Sequence, residues 1–185
     1  CTRSVTLPAP TQGPALRPGA PGGAGPAGGA GPGGGAGPAG GFFPAPPAAG
    51  PEEPTRLVKV RDDVYAIVNV NDAVMPDIPL YGGNVTVYLT EAGVVLVDAK
   101  TDGMHDDLVA KVRSLTDQPI EYVVLTHNHP DHSGGAAKLQ ALGATVIVSA
   151  ANRERMAESG QPGLPQMSYE GHAQIVLGDK RVELV

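Results

Sequence analysis

Residues 1–52 carry 15 of the chain's 26 glycines and 12 of its 19 prolines, and this break in composition limits what the polypeptide can fold into. A segment that is mostly Gly, Pro and Ala has too little apolar side-chain area to offset the entropy of ordering it. A disordered tail or tether is therefore expected over residues 1–52. Folding is left to residues 53–185, about 130 residues, enough for one domain with a real core and too few for two. Both phenylalanines, Phe42 and Phe43, fall in the tail and there is no tryptophan, so the core must be aliphatic, supplemented by five tyrosines.

Within the tail, glycine recurs at every third position from Gly19 to Gly40, with prolines at 21, 26, 32 and 38. The register is that of a collagen-like Gly-X-Y repeat, but Pro is sparse and Gly often fills the X position as well. A flexible spacer is the expectation. The start Cys1-Thr-Arg-Ser, followed by this stretch, resembles a bacterial lipoprotein after signal-peptide cleavage. That arrangement would put a lipid anchor on Cys1 and the protein in the cell envelope or periplasm; an arbitrary fragment boundary is the alternative. Cys1 is the only cysteine, so no disulfide framework is available.

Before Glu52 the only charges are Arg3 and Arg17, so the net charge of −6 leaves −8 on residues 52–185. An acidic domain argues against nucleic acid as a partner, because phosphate binding needs a basic surface. No apolar run approaches the roughly 18–20 residues of a membrane-spanning helix. The oligomeric state is not legible.

Leu57–Arg61 and Val64–Val70 flank Asp62-Asp63, and Asn84–Thr90 and Val94–Asp98 flank Glu91-Ala92-Gly93. Two consecutive hairpins predict an antiparallel meander of four strands. The pattern then changes. Leu108, Val109, Val112 and Leu115 repeat at helical spacing, with Thr101 and Asp102 as candidate N-caps. A buried strand is predicted over Ile120–Leu125, a short helix over Ala136–Leu142, a strand over Ala144–Val148 and a helix over Ala150–Ser159. Strands first, then alternating helix and strand, predict a mixed sheet covered by helices. Arg181–Val185 alternates like a strand and stops with no closing turn, so the chain reads as cut within its fold.

After Leu125 comes Thr126-His127-Asn128-His129-Pro130-Asp131-His132-Ser133-Gly134-Gly135. Three imidazoles and a carboxylate within six residues are borderline ligands suited to zinc or iron. In an extended segment His127 and His129 point the same way, so both can meet one metal. Pro130 keeps His129 out of helical geometry and turns the chain, letting Asp131 and His132 face a second metal nearby. Gly134-Gly135 permits a tight fold into the next helix. The site would lie at the carboxyl end of a strand, where helix-covered sheets place their chemistry.

This run resembles the His-X-His-X-Asp-His motif of the metallo-β-lactamase superfamily, and the likeness covers most of residues 57–185. The resemblance implies a four-layer αββα sandwich and a binuclear metal hydrolase. His127 and His129 would bind the first ion, and Asp131 and His132 the second. Two zinc ions are implied, with iron as the alternative. Asp98 matches the family's acidic residue at a strand end, which supports the ligands from behind. Asp131 would also be the catalytic residue, orienting the attacking water and taking its proton. A small-molecule substrate is implied: a β-lactam, thioester, lactone or related ester.

The family also supplies a Gly-His-Thr-type ligand, a bridging carboxylate or thiolate and a final His, none identifiable here. Gly171-His172-Ala173 leads into Gln-Ile-Val, which reads as a strand, and His105 reads as a solvated residue on the first amphipathic helix. Cys1 is too distant for the bridging thiolate. The remaining ligands are expected beyond Val185, so the chain as given would hold metal weakly and lack significant hydrolysis. The competing classes are an iron oxidoreductase of the same fold, of sulfur dioxygenase or flavodiiron type, and a non-catalytic surface-tethered protein. Pro76 and Pro79 suggest an ordered flap over Met75–Gly83 beside the site.

Overall fold

The computed structural model describes residues 53–70 and 81–185. The expectations for the tail at 1–52, for its Gly-X-Y register and lipid-bearing Cys1, and for most of the flap around Pro76 and Pro79 lie outside those residues.

The two hairpins form where the alternation places them. β1 (Thr55–Arg61) and β2 (Val64–Asn69) turn at Asp62-Asp63, and β3 (Val85–Thr90) and β4 (Gly93–Val97) turn at Glu91-Ala92. The chain then passes through a 3-10 turn (Asp102–Met104) into helix α1 (His105–Arg113) and returns as β5 (Ile120–Val124). Thr101 is the N-cap of the 3-10 turn, and Met104 that of α1. The motif run supplies a helical turn, α2 (Pro130–Ser133), followed by α3 (Ala136–Ala141), β6 (Thr145–Ser149), α4 (Ala150–Glu158), β7 (Met167–Tyr169), β8 (Ala173–Leu177) and β9 (Lys180–Leu184).

Among the described residues seven strands form one sheet in sequence order, β1 to β7. The pairs from β1 to β4 are antiparallel, and β4–β5, β5–β6 and β6–β7 are parallel. Parallel neighbours need crossovers, and those crossovers are the helical segments between them. The meander and the mixed sheet are thus as the pattern predicts. β8 and β9 form a separate antiparallel pair.

Both faces of the central strands are buried, which explains their almost uninterrupted Val/Ile/Leu composition. On one face Val94, Leu96, Val123, Val146 and Val148 pack with Leu108 and Val112 of α1, Leu139 of α3 and Met156 of α4. On the other, Val95, Tyr122, Val124 and Ile147 pack with Ile175, Leu177 and Leu184 of the β8–β9 hairpin. Each fully buried aliphatic side chain contributes about 1.5–3 kcal/mol. The layers are therefore helices, seven-stranded sheet and second sheet. No helix among the described residues is long and apolar enough to cross a membrane.

Candidate metal centre

β4 and β5 run parallel with Val97 opposite Val124, so both release their chains at the same edge of the sheet. Asp98 follows β4 and donates its backbone N–H to the Val124 carbonyl at 2.8 Å. There the backbone leaves the strand with positive φ at two non-glycine residues, Asp98 (70°) and Lys100 (56°). Each left-handed residue costs of order 1–3 kcal/mol, and such strain persists where surrounding contacts over-determine it. Those contacts are on hand. The Ala99 N–H donates to the His132 carbonyl at 2.7 Å, and the Gly135 N–H to the Lys100 carbonyl at 3.2 Å.

His129 is extended (φ −67°, ψ 140°) and Pro130 opens the α2 turn, which swings Asp131 and His132 back toward His127. One ligand atom from each of His127, Asp131 and His132 lies within 4.8 Å of the other two. The His127 and His132 rings are 4.2 Å apart between centroids. His129 is exposed and stands edge-on to His127, centroids 4.7 Å apart, outside that group of three. The motif thus gathers its two halves more closely than a division into two separate pairs implies.

Asp98 is nearly buried and accepts three hydrogen bonds. They come from the Thr126 N–H (2.8 Å), the Thr126 hydroxyl (2.9 Å) and His132 Nδ1 (2.8 Å). With its proton given to Asp98, the Thr126 hydroxyl accepts from His127 Nδ1 at 3.0 Å. One carboxylate therefore sets the tautomer of both imidazoles, leaving each Nε2 with its lone pair free.

The donor set fits a cation. His132 Nε2 faces Asp131 Oδ2, 3.2 Å away. An imidazole nitrogen and a carboxylate oxygen that converge so closely are a pair of donor atoms that a metal ion between them can bridge. Burial holds the His127 imidazole below its ordinary 6.5, with the neighbouring His132 and His129 acting in the same direction, so His127 is neutral and ready to ligate at pH 7.

Residues that the sequence did not mark complete the frame. Gln161, after α4, donates Nε2 to the Asn128 carbonyl at 2.7 Å and accepts the Ser133 hydroxyl at 2.9 Å, clasping the motif loop. Gly83 lies flat against the His132 ring: a Cβ there would fall 2.4 Å from Cε1. Gly134 and Gly135 are required for close approach rather than for flexibility, since a Cβ on Gly135 would sit 2.3 Å from the Ala99 carbonyl oxygen. His172 precedes β8, is exposed and stands outside the cluster, in line with its reading as strand entry. His105 is a correction. Expected to be solvated, it is partly buried, and its Nδ1 has no hydrogen-bond partner among the described residues. Lys138 of α3 bonds both the carbonyl (3.0 Å) and the carboxylate (3.1 Å) of Asp102, which ties α3 to the 3-10 turn that leads into α1.

Parallel strands that deliver imidazoles and a carboxylate to one sheet edge define a metal-binding α/β domain. A sequence profile of the metallo-beta-lactamase superfamily matches residues 78–182, more than half the chain. The chain belongs to the metallo-beta-lactamase superfamily, and of the four-layer αββα sandwich expected from the sequence the described residues form one helical layer and the two sheets. Flavo-diiron protein FprA2 of Clostridium acetobutylicum is 29% identical over 101 residues, 51% of this chain and 25% of that protein. The metallo-beta-lactamase from Pontibacter korlensis aligns with a TM-score of 0.58 at 20% identity, over 70% of this chain and 59% of its own. The TMB-1 structure aligns with a TM-score of 0.52 at 18% identity, over 68% and 56%. Both structural likenesses concern the fold. The chain spans about a quarter of the FprA2 length and under two thirds of either structure.

Proposed function

We propose that this domain carries the metal site of a hydrolase that uses a binuclear zinc centre on a β-lactam, thioester, lactone or related ester. The observation that carries the reading is the convergence of His127, Asp131 and His132 within 4.8 Å, with His132 oriented by Asp98. His127 and His132 would hold metal through Nε2, Asp131 through its carboxylate, and His129 would join beside His127. Bound zinc supplies Lewis acidity toward the scissile carbonyl and makes a water acidic enough to deprotonate near neutral pH. The chain's own residues do the rest. Asp131 Oδ2 orients the water and holds its proton, Asp98 and Thr126 keep both imidazoles in the ligating tautomer, and the Gly83 wall limits how the His132 ring can turn.

The flavodiiron relative supports a second reading, an iron-dependent oxidoreductase on the same frame. Metal competition separates the two. The 185-residue chain is dialysed against equimolar zinc and ferrous iron without oxygen, its metal content is measured, and an extended polypeptide is assayed on an ester, a thioester and a β-lactam. Preferential zinc uptake with hydrolysis that disappears in His127→Ala is the expected outcome. Selective iron retention, with no hydrolysis by the zinc form, would replace this reading with the oxidoreductase.

A further inference from the structure

Beside the candidate centre the fold buries an ammonium group that the proposed chemistry does not use. Lys100, two residues past Asp98, is 0% exposed. Its Nζ has three protons and finds three acceptors: Asn69 Oδ1 at 2.8 Å, the Gly83 carbonyl at 2.9 Å and the Tyr81 carbonyl at 3.4 Å. Asn69, at the end of β2, is itself buried and donates Nδ2 to the Gly82 carbonyl at 2.9 Å. Three successive carbonyls, those of Tyr81, Gly82 and Gly83, are thus gathered by two buried side chains. Among the described residues every hydrogen-bond partner of the ammonium is a neutral oxygen. Taking such a charge out of water is costly where, among the described residues, no carboxylate bonds it, and an apolar residue would fill the space with less penalty. Burial pushes the amine down to about 8, with Asp107 opposing, which still leaves most of it protonated at pH 7.

The other side of the same three-residue strap touches the ligands. The Gly83 N–H donates to the Asp131 carbonyl at 2.8 Å. A Cβ on Gly83 would fall between 2.4 and 2.9 Å from three atoms of the His132 ring, and one on Gly82 would fall 2.5 Å from the Asp131 carbonyl oxygen. The bond from His132 Nδ1 to Asp98 fixes one point of the imidazole and leaves the ring free to pivot about it. The strap removes that freedom.

We infer that Lys100, together with Asn69, is a positioning residue that holds the Tyr81–Gly83 strap against His132 and Asp131 and so sets the geometry in which these two ligate metal. The inference rests on the reading of His127, Asp131 and His132 as ligands. It goes beyond that reading by giving a buried lysine, whose ammonium bonds the strap and Asn69, control over how a metal ion is held.

The test uses the full chain with cobalt(II), whose visible absorption reports coordination geometry. Lys100→Met keeps the length of the side chain and removes all three donors. It should retain the far-ultraviolet circular dichroism and a cooperative unfolding transition, bind cobalt about ten-fold more weakly and shift the visible bands. Asn69→Ser should shift them in the same direction by less. Ile175→Val, on the hairpin side of the sheet, lowers stability without changing the cobalt spectrum, which separates positioning from general destabilisation. Should Lys100→Met fail to fold, Asn69→Ser decides. Wild-type affinity and an unchanged spectrum in Lys100→Met, or in Asn69→Ser if only that variant folds, would overturn the inference. A wild-type chain that binds no cobalt would overturn the metal reading itself, and the inference with it.

Discussion

Replacing Asp98 by Asn changes one atom and reverses the logic of the imidazole beside it. The carboxylate accepts from His132 Nδ1 at 2.8 Å, so the lone pair lies on Nε2. An Asn oxygen can keep the bond from the Thr126 N–H, but its amide then faces His132 as a donor and moves the ring proton to Nε2. Zinc affinity should fall by about 10–100-fold with little change in unfolding free energy. Calorimetric titration of Asp98→Asn beside the wild type measures it, and equal affinities would remove Asp98 from the site. At this scale the candidate ligands were legible because imidazole and carboxylate in a six-residue run announce their chemistry. Lys100, Asn69 and Gln161 were not, since nothing local distinguishes a lysine that buries its ammonium from one on the surface.

The elements carry two predictions. α3 packs its start against the loop after β4 so closely that a Cβ on Gly135 would meet the Ala99 carbonyl oxygen at 2.3 Å. Gly135→Ala should destabilise the fold by about 1–3 kcal/mol, visible as a lower thermal midpoint. An unchanged midpoint would mean that the two segments separate at no cost. The first turn of α1 sets the second prediction. Burial holds His105 below its ordinary value of 6.5, against the partial opposition of Asp106 and Asp102, with Lys138 adding to the lowering. The unfolded chain therefore binds the proton more readily than the folded one, and stability falls as pH drops through and below 6.5. Urea titrations at about pH 7.5 and 5.5 should show a smaller loss for His105→Gln than for the wild type. Parallel losses would show that His105 takes no part. Boundaries of most of the expected strands and helices fell within a residue or two because period-two and helical spacing are local signals, whereas α1 starts after the caps expected at Thr101 or Asp102 and the three-residue β7 was not read. The α2 turn was read only as a turn at Pro130, because four residues hold too little periodicity to reveal a helix.

Across the whole molecule the central sheet is buried on both faces, and the β8–β9 hairpin is the cover of the face opposite the helices. Ile175→Ala, from a position only 1% exposed, should cost about 2–5 kcal/mol in chemical denaturation. A loss below that range would indicate that the hairpin is loosely held. By itself the sequence determined the four-strand meander, the helix and strand alternation and the dense ligand run, all of which depend on neighbours a few residues apart. It could not say that Asp98 would bind His132, 34 positions away, or that Lys100 would gather the carbonyls of Tyr81 and Gly83. Nor could it say that His127, Asp131 and His132 would close into one group with His129 standing outside it. Such contacts exist only once parallel β4 and β5 bring their carboxyl ends to one edge. Hydrogen bonds and close packing between distant segments depend on position in space, which a pattern read along the chain does not contain.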